Sequence, residues 1–522
     1  MRRRLPALLL LTAAAASASA LLGQAAPAPR ITAPALRERV RAYRSAHEVE
    51  ILRELAGLLS GENVASDPEK IEKAAGAVAA LLEKRGLRPE LLRVPGAPPV
   101  VYGELTTPGV TRTIVLYAHY DGQPVDPREW RGDPWTPVLR DAPIEAGGRD
   151  VPWEGLRAPL PTQWRLYGRS ASDDKAAVVG LLTALDALRA AGVRPSANLK
   201  FFFEGEEEAG SPHLAALLER HAQRLRSDLW ILFDGPVHQT RRMQVYFGAR
   251  GITDLSITAY GPERRLHSGH YGNWAPNPAA ALAGLLASMR DPDGFLTIRG
   301  LSESVRPLGE TERRALASAP NADAALRQEF GIGAPEGRGD SLLSAISRPA
   351  LNLHGIASGE VGPRSTNSIP TEATASIDFR LVPDLTPARV RELVEEHVRR
   401  QGFTVVRDPP DAAARRGASK LARLVWGAGY PALRTPMDTP SSSALVRVIE
   451  EASGGPIVAL PMLGGSIPMY LFHEKLGAPV VGVPIANHDN NQHAANENLR
   501  LQNLWDGIEV YAAILARLEW PD

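Results

Sequence analysis

A chain of 522 residues, with 44% hydrophobic and 23% charged side chains, is long enough for two domains and reads as globular. Its 59 basic and 59 acidic residues cancel, which gives no footing to a nucleic-acid or polyanion partner. Cysteine is absent, so disulfides, thiolate metal sites and cysteine nucleophiles are excluded, and any metal must be held by His, Asp and Glu.

In chain order, a basic run at Arg2, Arg3 and Arg4 precedes an apolar stretch to about Ala20. Small-residue sites follow at Ala18-Ser19-Ala20 and Gln24-Ala25-Ala26. This predicts a signal peptide over residues 1–26 and an exported protein, periplasmic or secreted. An uncleaved anchor is the alternative, because residues 5–23 nearly suffice to cross a bilayer. The Ala- and Ser-rich second half favours cleavage, and a cleaved chain would have no stable membrane association.

Helical spacing follows over 37–59 and 67–85. Near-continuous apolar runs at 113–118, 199–203, 229–233 and 479–484 predict strands buried on both faces. Helices are expected between them, at 174–191 and 212–225. This alternation predicts an α/β catalytic domain with a mainly parallel sheet. From about Gly251 the pattern changes: 253–260 and 374–381 alternate apolar with polar, and 276–289 and 387–400 are helical. The expected organisation is a catalytic domain in two parts, 32–248 and 437–522, with an α+β lid or dimerisation domain inserted at 249–436. Residues 141–163 and 406–436, rich in Pro, Gly, Ala and charge, read as loops.

The chemistry gathers just after the strands, where open α/β sheets place their sites. The run 113–118 leads into His119-Tyr120-Asp121. The run 199–203 leads into Glu204-Gly205-Glu206-Glu207-Glu208. The run 229–233 ends at Asp234, and 479–484 leads into a loop with His488 and His493. Asp173-Asp174 opens the helix at Lys175. Taken singly, each has an ordinary reading: a surface turn, a solvated acidic loop, a helix cap. Several carboxylates and imidazoles converging from successive strand ends would repel unless cations relieved them, which points to metal. A His with an Asp two residues on suits an imidazole ligand oriented by a carboxylate.

These blocks resemble, over nearly the whole chain, the cocatalytic dizinc metallopeptidases that include carnosinases, glutamate carboxypeptidases, aminoacylases and succinyl-diaminopimelate desuccinylases. The carnosinase-like dipeptidase branch is the nearest in look, through 116–124, Tyr167-Gly168-Arg169 and Gly464-Gly465-Ser466-Ile467-Pro468. The resemblance implies two divalent metal ions, zinc with Mn2+ or Co2+ as other fits. It implies His119, Asp173, Glu208, Asp234 and His493 as ligands, with Asp173 bridging and a cis bond to Asp174. Asp121 would orient His119, and Glu207 would be the general base. His488 reads as a loop histidine.

In the inserted domain the resemblance implies that His267 reaches a partner subunit's site and stabilises the oxyanion. Arg380, in Asp378-Phe379-Arg380, would bind a substrate carboxylate. Asn367, Ser466 and Gly465 fall at substrate-contact positions. Ser170 departs from the family's usual glycine. The long loop at 134–166, with Trp135, Trp153 and Trp164, is either a lid or a surface elaboration. A further substrate histidine known in some carnosinase-like members has no clear counterpart in 408–440. The expected activity is hydrolysis of an amide bond in a dipeptide or small peptide-like substrate with a free carboxylate, by a homodimer. An N-acyl amino acid amidohydrolase is the alternative enzyme, and an inactive periplasmic binding protein the alternative of another class.

Overall fold

The computed structural model describes residues 31–521, so the signal-peptide expectation for 1–26 lies outside the described residues. The four apolar runs form strands Thr113–His119, Asn198–Glu204, Leu229–Leu232 and Val480–Gly482, their ends within three residues of the reading. They lie in an eight-stranded sheet ordered Glu90–Leu92, Val100–Leu105, Asn198–Glu204, Thr113–His119, Leu229–Leu232, Val480–Gly482, Gln244–Tyr246 and Val458–Leu460. Its centre is parallel, and antiparallel pairs enter toward the edges. Helices Lys175–Ala190 and Leu501–Arg517 pack with the N-terminal helices on one face. Leu214–Arg220 and Tyr470–Leu476 cover the other. Burial on both faces is why these strands read as continuous apolar runs.

A second sheet, ordered Ala350–Ala357, Glu372–Leu381, Gly251–Tyr260, Leu421–Tyr430 and Thr404–Val406, is antiparallel except for its last pair. Helices Pro278–Ala287 and Pro387–Arg400 fill one face with a core of their own. Strands Gly248–Ala249 and Leu433–Arg434 pair where the chain leaves the first sheet and returns to it. Between strands Gly251–Tyr260 and Ala350–Ala357 of this sheet in sequence, helix Glu310–Ser318 packs on strand Val458–Leu460 of the large sheet.

Two expectations are corrected. Residues 406–436 are not a loop throughout, because Leu421–Tyr430 is an inner strand. Its Gly427-Ala428-Gly429 carries no strand signal, yet a Cβ on Gly429 would stand 2.5 Å from the Ile252 carbonyl oxygen, so the close pairing needs glycine. Residues 37–59 are two helices, Ala33–Ala46 and Glu48–Leu59, broken at His47. The His47 ring lies over Tyr43 and its Nδ1 sits 2.8 Å from the Tyr43 carbonyl oxygen. The 141–163 segment is a loop, as expected, and it runs between strands Val138–Arg140 and Arg165–Tyr167 of a three-stranded sheet that Asn498–Arg500 completes. Trp153 of that stretch, and Trp164 just after it, pack against the main core.

Candidate metal centre and substrate cleft

The strand Thr113–His119 delivers a fully buried His119 to the sheet's carboxyl end. Its Nε2 lies 2.9 Å from Asp173 Oδ1 and its Nδ1 lies 3.3 Å from Asp121 Oδ1. Asp121 is also buried, and its two oxygens accept the Glu207 and Glu208 amides at 3.2 and 3.0 Å. One carboxylate therefore fixes both the imidazole and the turn that carries the two glutamates. That turn, Glu207–Ala209, follows strand Asn198–Glu204 and closes on Gly210 at φ 82°.

Asp173 enters from the segment before helix Lys175–Ala190, and its bond to Asp174 is cis. Ser170 holds φ 66°, the left-handed region where the resemblance leads one to expect glycine. The departure therefore keeps a glycine-like backbone, at a cost of about 1 kcal/mol, and Asn63 Nδ2 donates to its hydroxyl at 3.3 Å. Buried Glu497 ties the segment down: its oxygens accept the Ser170, Ser172 and Asp173 amides and the Arg169 guanidinium at 2.8–3.0 Å. His493, also at positive φ, brings Nε2 to 3.2 Å from Asp173 Oδ2 and 3.1 Å from Glu208 Oε2.

Two ligand groups result: His119, Asp173 and Asp234, and Asp173, Glu208 and His493, with donor atoms within 4.8 Å of one another in each. Burial, then neighbouring carboxylates, pushes Asp234 up to about 7 and raises Glu208, while burial holds Glu207 well above its ordinary value. Bonds to Asp173 and Glu208 push His493 up to about 10. Asp173 stays low against its burial because both imidazoles face it. The buried Glu208 Oε1 has no hydrogen-bond partner. Without cations this set must hold extra protons, so divalent metal fits the residues present.

The remaining predicted residues fall into two places. Arg380 donates from Nε to Asp378 Oδ1 and from Nη1 to Ser466 Oγ, both at 2.9 Å, and the Gly465 carbonyl accepts the Arg250 amide at 3.2 Å. His267 and Asn367 lie elsewhere, beside each other. His267 pairs with Ser368, and the Asn367 carbonyl accepts the Ser268 amide at 2.9 Å. Neither belongs to a ligand group among the described residues, and the His267 side chain is exposed. His488 belongs to neither ligand group.

Sequence reading missed several contributors. Gln492 Nε2 donates to Asp173 Oδ2 at 2.6 Å and Gln123 Nε2 to Glu208 Oε2 at 2.8 Å. Each sits near a quoted motif but carries no metal signal of its own. Tyr430 closes the strand that had read as loop. It lies within electrostatic reach of both Glu207 and Arg380, and burial raises its hydroxyl well above the usual range.

Residues 115–517 match the description peptidase family M20/M25/M40. A Cys-Gly metallodipeptidase of Schizosaccharomyces pombe is 26% identical over 430 residues, 81% of this chain and 83% of that protein. The Homo sapiens β-Ala-His dipeptidase is 26% identical over 513 residues, 93% of each chain. The crystal structure of an M20 family metallo-carboxypeptidase from Sulfolobus solfataricus superposes with a TM-score of 0.71 at 26% identity, covering 90% of this chain and 99% of that one.

Proposed function

Since the chain belongs to peptidase family M20/M25/M40 and is a metal-dependent peptidase, we propose that it hydrolyses dipeptides with a free terminal carboxylate, using two zinc ions. The observation that carries this reading is the sharing of Asp173 between two ligand groups, as in a two-metal site. His and carboxylate donors suit zinc. Bound there, the metals would supply Lewis-acid polarisation and an acidified water. The chain's own residues do the rest. Glu207 takes the water proton and returns it to the leaving amine. Asp121 holds the His119 ring and the Glu207–Glu208 turn in one frame. Arg380 and Ser466, hydrogen-bonded to each other, hold the carboxylate. The similar proteins named for Cys-Gly and β-Ala-His cleavage support a substrate of dipeptide size.

The test is a panel of dipeptides and N-acyl amino acids, with and without chelator. Chelator-sensitive cleavage led by dipeptides is expected. Preference for N-acyl amino acids would replace the dipeptidase reading with an acylase, and no cleavage by zinc-loaded protein would sink it.

His267 and Asn367, held together but apart from their own ligand groups, belong in this proposal to the site of a second copy in a homodimer. Subunits carrying Glu207→Gln and subunits carrying His267→Ala are each expected to be nearly inactive. Mixed after dissociation, they should recover about a quarter of wild-type activity, since half the dimers are mixed and each holds one complete site. A mixture as inactive as its components would refute sharing.

A further inference from the structure

Beside the metal centre, the carboxylate-binding corner has an uneven distribution of charge. Asp378 is buried, and both its oxygens are engaged. Oδ1 accepts from Arg380 Nε at 2.9 Å; Oδ2 accepts Asn352 Nδ2 at 3.1 Å and faces His354 Nε2 at 2.6 Å. The Arg380 charge is therefore cancelled by its neighbour two residues back on the same strand. Arg250 is different. It is 6% exposed, and no carboxylate lies within ion-pair distance of it among the described residues. Its guanidinium donates from Nη2 to the Arg348 carbonyl at 3.1 Å, and its buried Nε has no acceptor. Burial and the proximity of Arg380 pull its pKa down to about 10, against the pull of Asp378.

The backbone fixes this charge beside the Arg380–Ser466 pair. The Arg250 amide bonds Gly465, and the next residue, Gly251, accepts the Ser466 hydroxyl at 3.4 Å. Ile252 then pairs with both Arg380 and Tyr430, the tyrosine within reach of Glu207. A substrate carboxylate, two bonds from the scissile nitrogen, would thus meet a neutral Arg380–Asp378 pair and an uncancelled Arg250.

We propose that Arg250 is the residue that determines specificity for a free terminal carboxylate: Arg380 and Ser466 orient the anion, and Arg250 supplies the surplus positive charge that attracts it. An uncompensated buried guanidinium is costly, and an anionic substrate removes that cost on binding. This rests on the dipeptidase reading, but its test is made on binding and does not depend on turnover.

The experiment titrates alanylalanine and alanylalaninamide into the zinc-loaded Glu207→Gln protein, with and without Arg250→Met or Arg250→Lys. The parent should bind the acid at least tenfold more tightly than the amide. Arg250→Met should weaken the acid roughly 10- to 100-fold, the loss of one charge-assisted contact, and leave the amide within about twofold. Arg250→Lys, which keeps the charge, should retain most of the preference. Equal affinities in the parent, an unchanged preference in the methionine variant, a parallel loss for acid and amide, or loss of preference in the lysine variant would each overturn the assignment. Failure of hydrolysis in the substrate panel would strike the dipeptidase reading and leave this readout intact.

Discussion

Glu207→Gln is expected to retain its metals and its affinity for substrate while kcat falls about a thousandfold, with KM changed less than threefold. Glu207 sits one residue before a ligand yet belongs to neither ligand group. Its amide is pinned on Asp121, so the carboxylate is held beside the metal groups by the same residue that orients His119. Burial, with Asp234, Glu208 and Asp173 near, raises its proton affinity above that of an ordinary glutamate. A carboxylate in that state is a competent base toward a water acidified by metal, and its conjugate acid can then protonate a leaving amine. Glutamine keeps the size and the hydrogen-bonding oxygen but accepts no proton. A thousandfold loss corresponds to about 4 kcal/mol of transition-state stabilisation. Steady-state kinetics and metal analysis on one preparation decide the matter. A fall of less than tenfold would place the base elsewhere, and loss of metal together with rate would make Glu207 a ligand.

The parts of the site legible in the sequence share one physical cause. Strands buried on both faces must be continuous apolar runs, so a polar residue just after such a run marks the sheet's carboxyl end. His119, Glu204 to Glu208 and Asp234 are all found that way. The rest was hidden where sequence periodicity carries no information. Leu421–Tyr430 has few buried residues beyond its start, so neither alternation nor an apolar run marks it, and Tyr430 was lost with it. Ala350–Ala357, with a single fully buried residue, hides His354 and Asn352 in the same way. Arg250 looks like any arginine before a glycine. Only the fold shows that the acid within electrostatic reach of it, Asp378, is already taken by Arg380, Asn352 and His354. The resemblance implies roles for His267 and Asn367 that no local pattern marks, because neither falls in a ligand group of its own chain.

Asp173→Ala is expected to lose both metals and all measurable activity, whereas Asp234→Ala should lose only the site to which Asp234 contributes and retain about one metal per chain. The asymmetry follows from placement. Asp173 Oδ1 faces His119 at 2.9 Å and its Oδ2 faces His493 at 3.2 Å, so one side chain serves both groups, while Asp234 serves the first alone. Removing Asp173 also takes from each of the two imidazoles one of the two carboxylates it faces and releases Gln492, which donates to Oδ2. Metal binding stabilises a fold in proportion to the logarithm of metal over its dissociation constant; a thousandfold excess contributes about 4 kcal/mol. Wild type should therefore melt several degrees lower in chelator, and Asp173→Ala should melt at one temperature with or without it. Metal content by mass spectrometry, read beside those melting curves, gives the answer. An Asp173→Ala protein that still holds two metals, or an Asp234→Ala protein that holds none, would show that Asp173 does not join the two sites.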